Sequence, residues 1–176
     1  MTQTRRAPPP LDRESLDRLA LRYVERFATS RAKLADYLRR KVRERGWDGP
    51  ASDPKALADR FAELGYIDDR AFAEARARSM ARRGLGERRI AVAFRAAGIE
   101  AEDAEAVAPQ IADGATEAAL ALARRKRIGP FASERAERPQ REKQLAQMVR
   151  GGHSFALARR IVDMAPGDDV DVLHGD

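Results

Sequence analysis

The stretch Ser30-Arg-Ala-Lys-Leu34-Ala-Asp-Tyr-Leu38-Arg-Arg-Lys-Val42-Arg-Glu-Arg-Gly46 spells out a complete helix. Ser30 is an N-cap residue, whose side-chain oxygen can accept from the free N–H groups of a first turn. Leu34, Leu38 and Val42 come at four-residue steps and make one apolar stripe. Gly46 stops the run as a C-cap glycine does. Arg39, Arg40, Arg43 and Arg45 fall on the outward side. A helix of this kind buries little and shows a cationic face.

The same grammar extends in both directions. Upstream, Leu16, Leu19, Ala20, Tyr23, Val24 and Phe27 predict a helix over about 16–28 with Arg18, Arg22 and Arg26 on its opposite side. Trp47 is expected to fold back on this pair. Downstream, Asp53-Pro54 opens a third helix with Leu57, Phe61 and Leu64 inward, stopped by Gly65. A fourth spans Asp69 to Arg83, with Phe72, Ala73, Ala77 and Met80 inward. Ile90, Ala93, Phe94 and Ala97 mark a fifth, up to Gly98, and a short acidic sixth is expected to break near Pro109. A seventh runs from about Thr116 to Arg127. After a loop over 131–138, an eighth opens at Pro139, and a ninth, capped by Ser154, holds Phe155, Ala158, Ile161 and Val162.

Aligning closing glycines pairs Leu38, Val42 and Gly46 with Ile90, Phe94 and Gly98, and a third copy matches through Met148 and Gly152. The expected architecture is therefore all-α, an elongated array of three tandem three-helix repeats with mainly neighbour contacts. Its divisions are a disordered Pro-rich tail over 1–14, repeats over 15–67, 68–114 and 115–165, and a disordered acidic tail over 166–176. Composition agrees with the fold class. Of 176 residues 34 are Ala, whereas Val, Ile and Thr together make 18, so the apolar fraction favours helix over strand.

Composition also narrows the chemistry. The chain has no Cys and two His, which leaves no disulfide, thiolate nucleophile or zinc knuckle and too few imidazoles for a His-rich metal site. Phosphate-cradle, serine-hydrolase and zincin motifs are absent, so no enzyme activity and no cofactor is expected. The Asp68-Asp69 pair is accounted for by a helix N-terminus. No stretch reaches the ~20 apolar residues of a membrane span, and a cytoplasmic location without membrane contact is expected.

The formal charge of +6 is unevenly spread. Residues 1–49 carry 13 basic and 7 acidic groups, 50–98 carry 10 and 7, 99–115 carry none and 5, 116–165 carry 11 and 5, and 166–176 carry 4 acidic groups alone. The candidate binding residues are the clusters within the basic blocks. They are Arg39, Arg40, Lys41, Arg43 and Arg45; Arg76, Arg78, Arg82, Arg83, Arg88 and Arg89; and Arg124, Arg125, Lys126 and Arg127. Like charges packed this densely repel, and they mark a surface for a polyanion or an acidic protein groove, one per repeat. No aromatic residues interleave with the Arg runs to stack bases, so contact with phosphates rather than base reading is expected.

The run Leu64-Gly65-Tyr66-Ile67-Asp68-Asp69, followed by Phe72-Ala73, with Ser30-Arg31, Leu34, Leu38 and Lys41 before it and Ile90, Gly98 and Ile99 after it, resembles the RecX family of bacterial recombinase regulators. The resemblance covers about residues 19–164 and implies three tandem three-helix repeats. It further implies a monomeric regulator that binds the RecA recombinase filament on DNA. Such a regulator mostly inhibits the filament's ATPase, strand-exchange and coprotease activities, with consequences for DNA repair, homologous recombination and the SOS response. In this likeness Leu64 to Asp69 with Phe72 and Ala73 form the joint between the first and second repeats. Gly151-Gly152-His153 departs from the family's usual Arg-Gly-Phe. A stand-alone, sequence-independent DNA-binding protein gripping single- or double-stranded phosphates is the alternative.

Overall fold

The computed structural model describes residues 9–174. Among them are nine α-helices: α1 (Arg13–Arg26), α2 (Arg31–Arg45), α3 (Pro54–Glu63), α4 (Asp69–Arg82), α5 (Glu87–Ala96), α6 (Ala101–Asp113), α7 (Ala115–Lys126), α8 (Arg138–Arg150) and α9 (Phe155–Asp163). Short 3-10 turns lie at Gly129–Phe131 and Val170–Leu173, and the described residues contain no β-strand beyond a single bridge between Leu11 and Trp47. The all-α expectation holds, and the helices fall in order into three sets of three.

The chain divides into two compact units. The first runs through Phe72 and includes Ala97–Ile99; the second comprises Ala73–Ala96 and the chain from Glu100. In the first unit, the stripes of α1, α2 and α3 meet in one core. It is built on Leu16, Ala20, Leu34, Leu38, Leu57 and Phe61, with Val42 and Trp47 packed against it. Ser30 caps α2 by accepting from the Lys33 N–H (3.2 Å), and Asp53 caps α3 by accepting from the Ala56 N–H (2.9 Å). In the second unit, Leu120, Leu122, Ile128, Met148, Ile161 and Val162 form the core that α7, α8 and α9 share. Ala73, Ala77, Ile90, Phe94 and Val107, from α4, α5 and α6, are also buried. The apolar residues α4 buries are alanines, whereas α5 and α6 contribute the larger Ile90, Phe94 and Val107.

Several sequence expectations are corrected. Residues 9–14 of the N-terminal tail are ordered: Leu11 is fully buried in the first core, its N–H donates to the Gly46 carbonyl (3.0 Å), and its carbonyl accepts from the Asp48 N–H (2.8 Å). Asp12 then caps α1 by accepting from the Ser15 N–H (2.8 Å). The acidic tail is ordered as far as residue 174, because Leu173 is buried in the second core and Arg160 donates to the Val172 carbonyl (3.1 Å). Residues 1–8 and 175–176 of the two tails lie outside the described residues. Helix α6 runs through Pro109, which is exposed, so the carbonyl that the proline cannot serve is left to water. Phe27, Leu64 and Phe155, expected inward, are 51%, 64% and 57% exposed.

Candidate functional site

The segment Leu64 to Ala73 is built almost entirely from backbone logic. Gly65 takes φ +79°, the left-handed conformation that lets α3 stop. The Tyr66 N–H then donates to the Phe61 carbonyl (2.9 Å) and the Gly65 N–H to that of Ala62 (2.9 Å). This is the double bond pattern of a Schellman stop, and its accompanying apolar contact is Phe61 against Tyr66, with ring centroids 5.3 Å apart. Ile67 is buried in the first core, and Asp68 starts α4 by accepting from the Ala71 N–H (2.8 Å).

Asp69 behaves differently from its neighbour. It is 7% exposed, and its carboxylate serves α2: Oδ1 accepts from the Arg31 N–H (2.8 Å) and Oδ2 from Arg31 Nε (2.7 Å). The start of α2 meets further partners there. The buried Ser30 hydroxyl donates to the Ala97 carbonyl (2.6 Å), Lys33 Nζ lies 5.5 Å from the Phe72 ring centroid, and a Cβ on Gly98 would stand 2.3 Å from that of Ala32. The motif thus fastens α2 to the chain beyond α3, while Leu64 and Tyr66 (54% exposed) face outward.

The second unit contains a joint made by backbone groups. The Gly86 N–H donates to the Gly151 carbonyl (2.9 Å) and the Arg88 N–H to that of Gly152 (3.2 Å). A Cβ on Gly86 would come within 2.5 Å of the Gly152 backbone, so only glycine permits this approach. His153 is buried beside it, and Nε2 donates to the Gly84 carbonyl (3.1 Å), so that nitrogen carries a proton. Burial pushes its pKa below the ordinary histidine value, although the bond to Gly84 opposes the shift. His153 therefore has a definite packing role in the third repeat. The tail histidine, His174, lies 3.1 Å from Glu117.

The cationic clusters differ in exposure and in pairing. Arg39, Arg40 and Arg43 are exposed on α2, whereas Lys41 and Arg45 are half-buried. Arg39 pairs with Asp36, Arg40 (3.7 Å) and Lys41 (2.7 Å) share Glu44, and Arg45 donates to the Pro9 carbonyl. The bond from Lys41 holds the Glu44 carboxyl below its usual range, so the acid stays charged and offsets part of the stripe. In the second unit Arg76 is half-buried and Arg78 lies 3.6 Å from Glu74, while Arg82, Arg83, Arg88 and Arg89 are exposed.

Arg124, Arg125, Lys126 and Arg127 are exposed as well. Arg124 stacks over Phe131 at 4.7 Å, and Arg125 donates to the Arg83 carbonyl. That bond brings Arg83, of the second cluster, into contact with Arg125, of the third. An apolar groove of about 440 Å³ lies nearby, floored by Ala77, Ala81, Ile111 and Ala118 and edged by Arg78 and Arg82.

Sequence reasoning missed an aromatic cluster in the first unit. Tyr23 of α1 stacks on Tyr37 of α2, centroids 4.3 Å apart at 25°, and Phe27 lies 5.2 Å from Tyr23. Arg26 sits 5.6 Å from the Phe27 centroid, and Arg40 and Lys41 sit 5.6 and 5.8 Å from that of Tyr37. The four-residue step from Tyr23 to Phe27 was the available signal; it also fits a core stripe. Among the described residues, no group of three or more His, Cys, Asp or Glu is placed to hold a metal ion, and no helix is long and apolar enough to cross a membrane.

Comparison with known proteins accords with this geometry. Residues 68–107 match the family model described as RecX, second three-helix domain. The regulatory protein RecX of Myxococcus xanthus is 33% identical over 163 residues, 86% of each chain. That of Streptomyces lividans is 31% identical over 179 residues, 98% of this chain and 90% of its own. The crystal structure of RecX from Lactobacillus salivarius superposes with a TM-score of 0.67 at 20% identity, over 85% of this chain and 93% of that one, and shares the fold. This protein belongs to the RecX family of regulatory proteins.

Proposed function

We propose that the chain is a non-catalytic, cytoplasmic regulator that binds, as a monomer, the filament formed by the RecA recombinase on DNA and lowers its ATPase, strand-exchange and coprotease activities. Family membership across most of the chain carries this reading. The exposed arginines support it: Arg39, Arg40 and Arg43 in the first unit, and separately Arg82, Arg83, Arg88 and Arg124 to Arg127 in the second, each suit weak contacts with acidic protein or phosphate. Each contact is replaceable, and their sum gives affinity. The filament reading is tested by adding the pure protein to RecA, single-stranded DNA and ATP. Falling ATP turnover and strand exchange are expected, and unchanged rates at saturating protein would refute it. Replacing Arg39, Arg40 and Arg43 together by Ala should weaken filament binding with helicity intact, since all three are exposed.

The second reading, a stand-alone DNA-binding protein, is favoured by the rings and cations that meet between α1 and α2. Salt separates the two readings. A free-standing binder making 6 to 10 phosphate contacts loses ~10³- to 10⁵-fold in affinity for duplex DNA between 50 and 200 mM salt. Weak binding to bare DNA with tight binding to RecA-coated DNA supports the regulator.

A further inference from the structure

We propose that the cleft between the end of α1 and the outer face of α2 is a stacking site for single-stranded polynucleotide. The cleft measures about 500 Å³, and its floor is the stacked pair Tyr23 and Tyr37 with Phe27 beside them. Three of the ten aromatic side chains in the sequence meet here. Phe27 is the informative one, because half of an uncharged ring is left in water at a helix end where a polar residue would serve. Arg22, Arg26 and Arg40 line the same cleft with Glu25, and Glu44 pairs with Arg40 at 3.7 Å, so the cations outnumber the acids beside them.

Rings and cations together select the ligand. An acidic peptide would pair with the arginines but gain nothing from an exposed π face, and duplex DNA has no base face free to stack. A single strand offers both, a planar base for Phe27 and phosphates for Arg22, Arg26 and Arg40. The second unit differs: beside its exposed Arg124 to Arg127 stands a single ring, Phe131, with Arg124 4.7 Å from its centroid, and among the described residues no second ring is stacked on it as Tyr37 is on Tyr23 in the first unit. The stacking function therefore belongs to the first unit. It deepens the filament reading by naming a direct contact to the strand, and it is tested without recombinase, so its failure and that of the regulator reading are separable.

The experiment is fluorescence anisotropy of the full chain with two labelled strands, each about 16 nucleotides long to span a single-strand site. One is oligo(dT), and the other is the same deoxyribose-phosphate backbone without bases. The protein should bind oligo(dT) more tightly. Phe27→Ala should weaken that binding about 5- to 150-fold, the loss of one base–aromatic stack, and leave the abasic strand unaffected. Phe27→Leu, apolar but without a π face, should behave as Phe27→Ala does, and Phe27→Trp should restore binding. Arg40→Ala should lower the slope of log affinity against log salt by about 0.7, one phosphate's share on a single strand. Equal affinity of the native protein for both strands would overturn the proposal. So would equal loss of both strands in Phe27→Ala, or displacement of oligo(dT) by a poly-glutamate peptide of equal charge as readily as by unlabelled oligo(dT).

Discussion

Replacing Asp69 by Ala should cost the first unit about 2–4 kcal/mol, well above the ~1 kcal/mol expected for the adjacent Asp68→Ala. The difference lies in what each carboxylate touches. Asp68 is exposed and accepts one bond, from the Ala71 N–H, which water can replace. Asp69 is buried and accepts two from Arg31. A hydrogen bond to a charged group contributes about 1.5–3 kcal/mol. The backbone N–H bond receives the middle of that range, and the guanidinium bond is discounted to about 1 kcal/mol because a third of the Arg31 side chain is exposed (32%). Asp69→Asn, which keeps an acceptor for the N–H, should lose roughly half as much. Urea unfolding followed by tryptophan fluorescence is a local assay, because the only Trp of the chain, Trp47, packs against the core of this unit. Equal costs for Asp68→Ala and Asp69→Ala, or a loss at Asp69 below about 1 kcal/mol, would refute the assignment of Asp69 to the joint.

Two other outcomes are expected. The lowered pKa of His153 means that the unfolded chain takes up its proton first as pH falls, so stability held above pH ~6.5 should decline below it until the folded-state pKa is passed, and His153→Gln should flatten that part of a stability–pH curve. Arg127 ends α7 with φ +54°, and the Ile128 N–H donates to the Ala123 carbonyl (2.9 Å) around it, the pattern glycine serves at the end of α3. Arg127→Gly should therefore raise the thermal midpoint, by relief of about 1 kcal/mol of left-handed strain, and a lowered midpoint would show that the arginine side chain contributes more than its backbone costs.

The helices were legible because each carries its own stripe and punctuation. Ser30, Gly46, Asp53-Pro54, Gly65 and Ser154 act on backbone groups within a few residues of themselves, and local signals of that kind survive in a single sequence. Tertiary choices were less visible. Asp68 and Asp69 look alike in sequence, yet one caps its own helix and the other reaches a residue 38 positions earlier. Leu11 and Leu173 sit in segments whose prolines and acids read as solvated, and a single leucine inserted in a core leaves no periodicity. The arginine clusters were legible as charge, but the contact between two of them depended on the bond from Arg125 to Arg83, and the ring cluster depended on which faces of α1 and α2 meet.

The pairing of Leu11 with Gly46 and Asp48 has a thermodynamic reading of its own. It closes a ring around α1 and α2 in a chain that has no cysteine to do so. Loop closure of this kind, by two main-chain hydrogen bonds and one buried side chain, is reversible and contributes only while all its parts hold together. Helix α1 consequently cannot fray from its N-terminus one turn at a time, since opening the first turn also uncovers Leu11 and releases Trp47. The beginning of the chain and the end of α2 should melt as one cooperative step, with hydrogen exchange at Leu16 and Gly46 rising together.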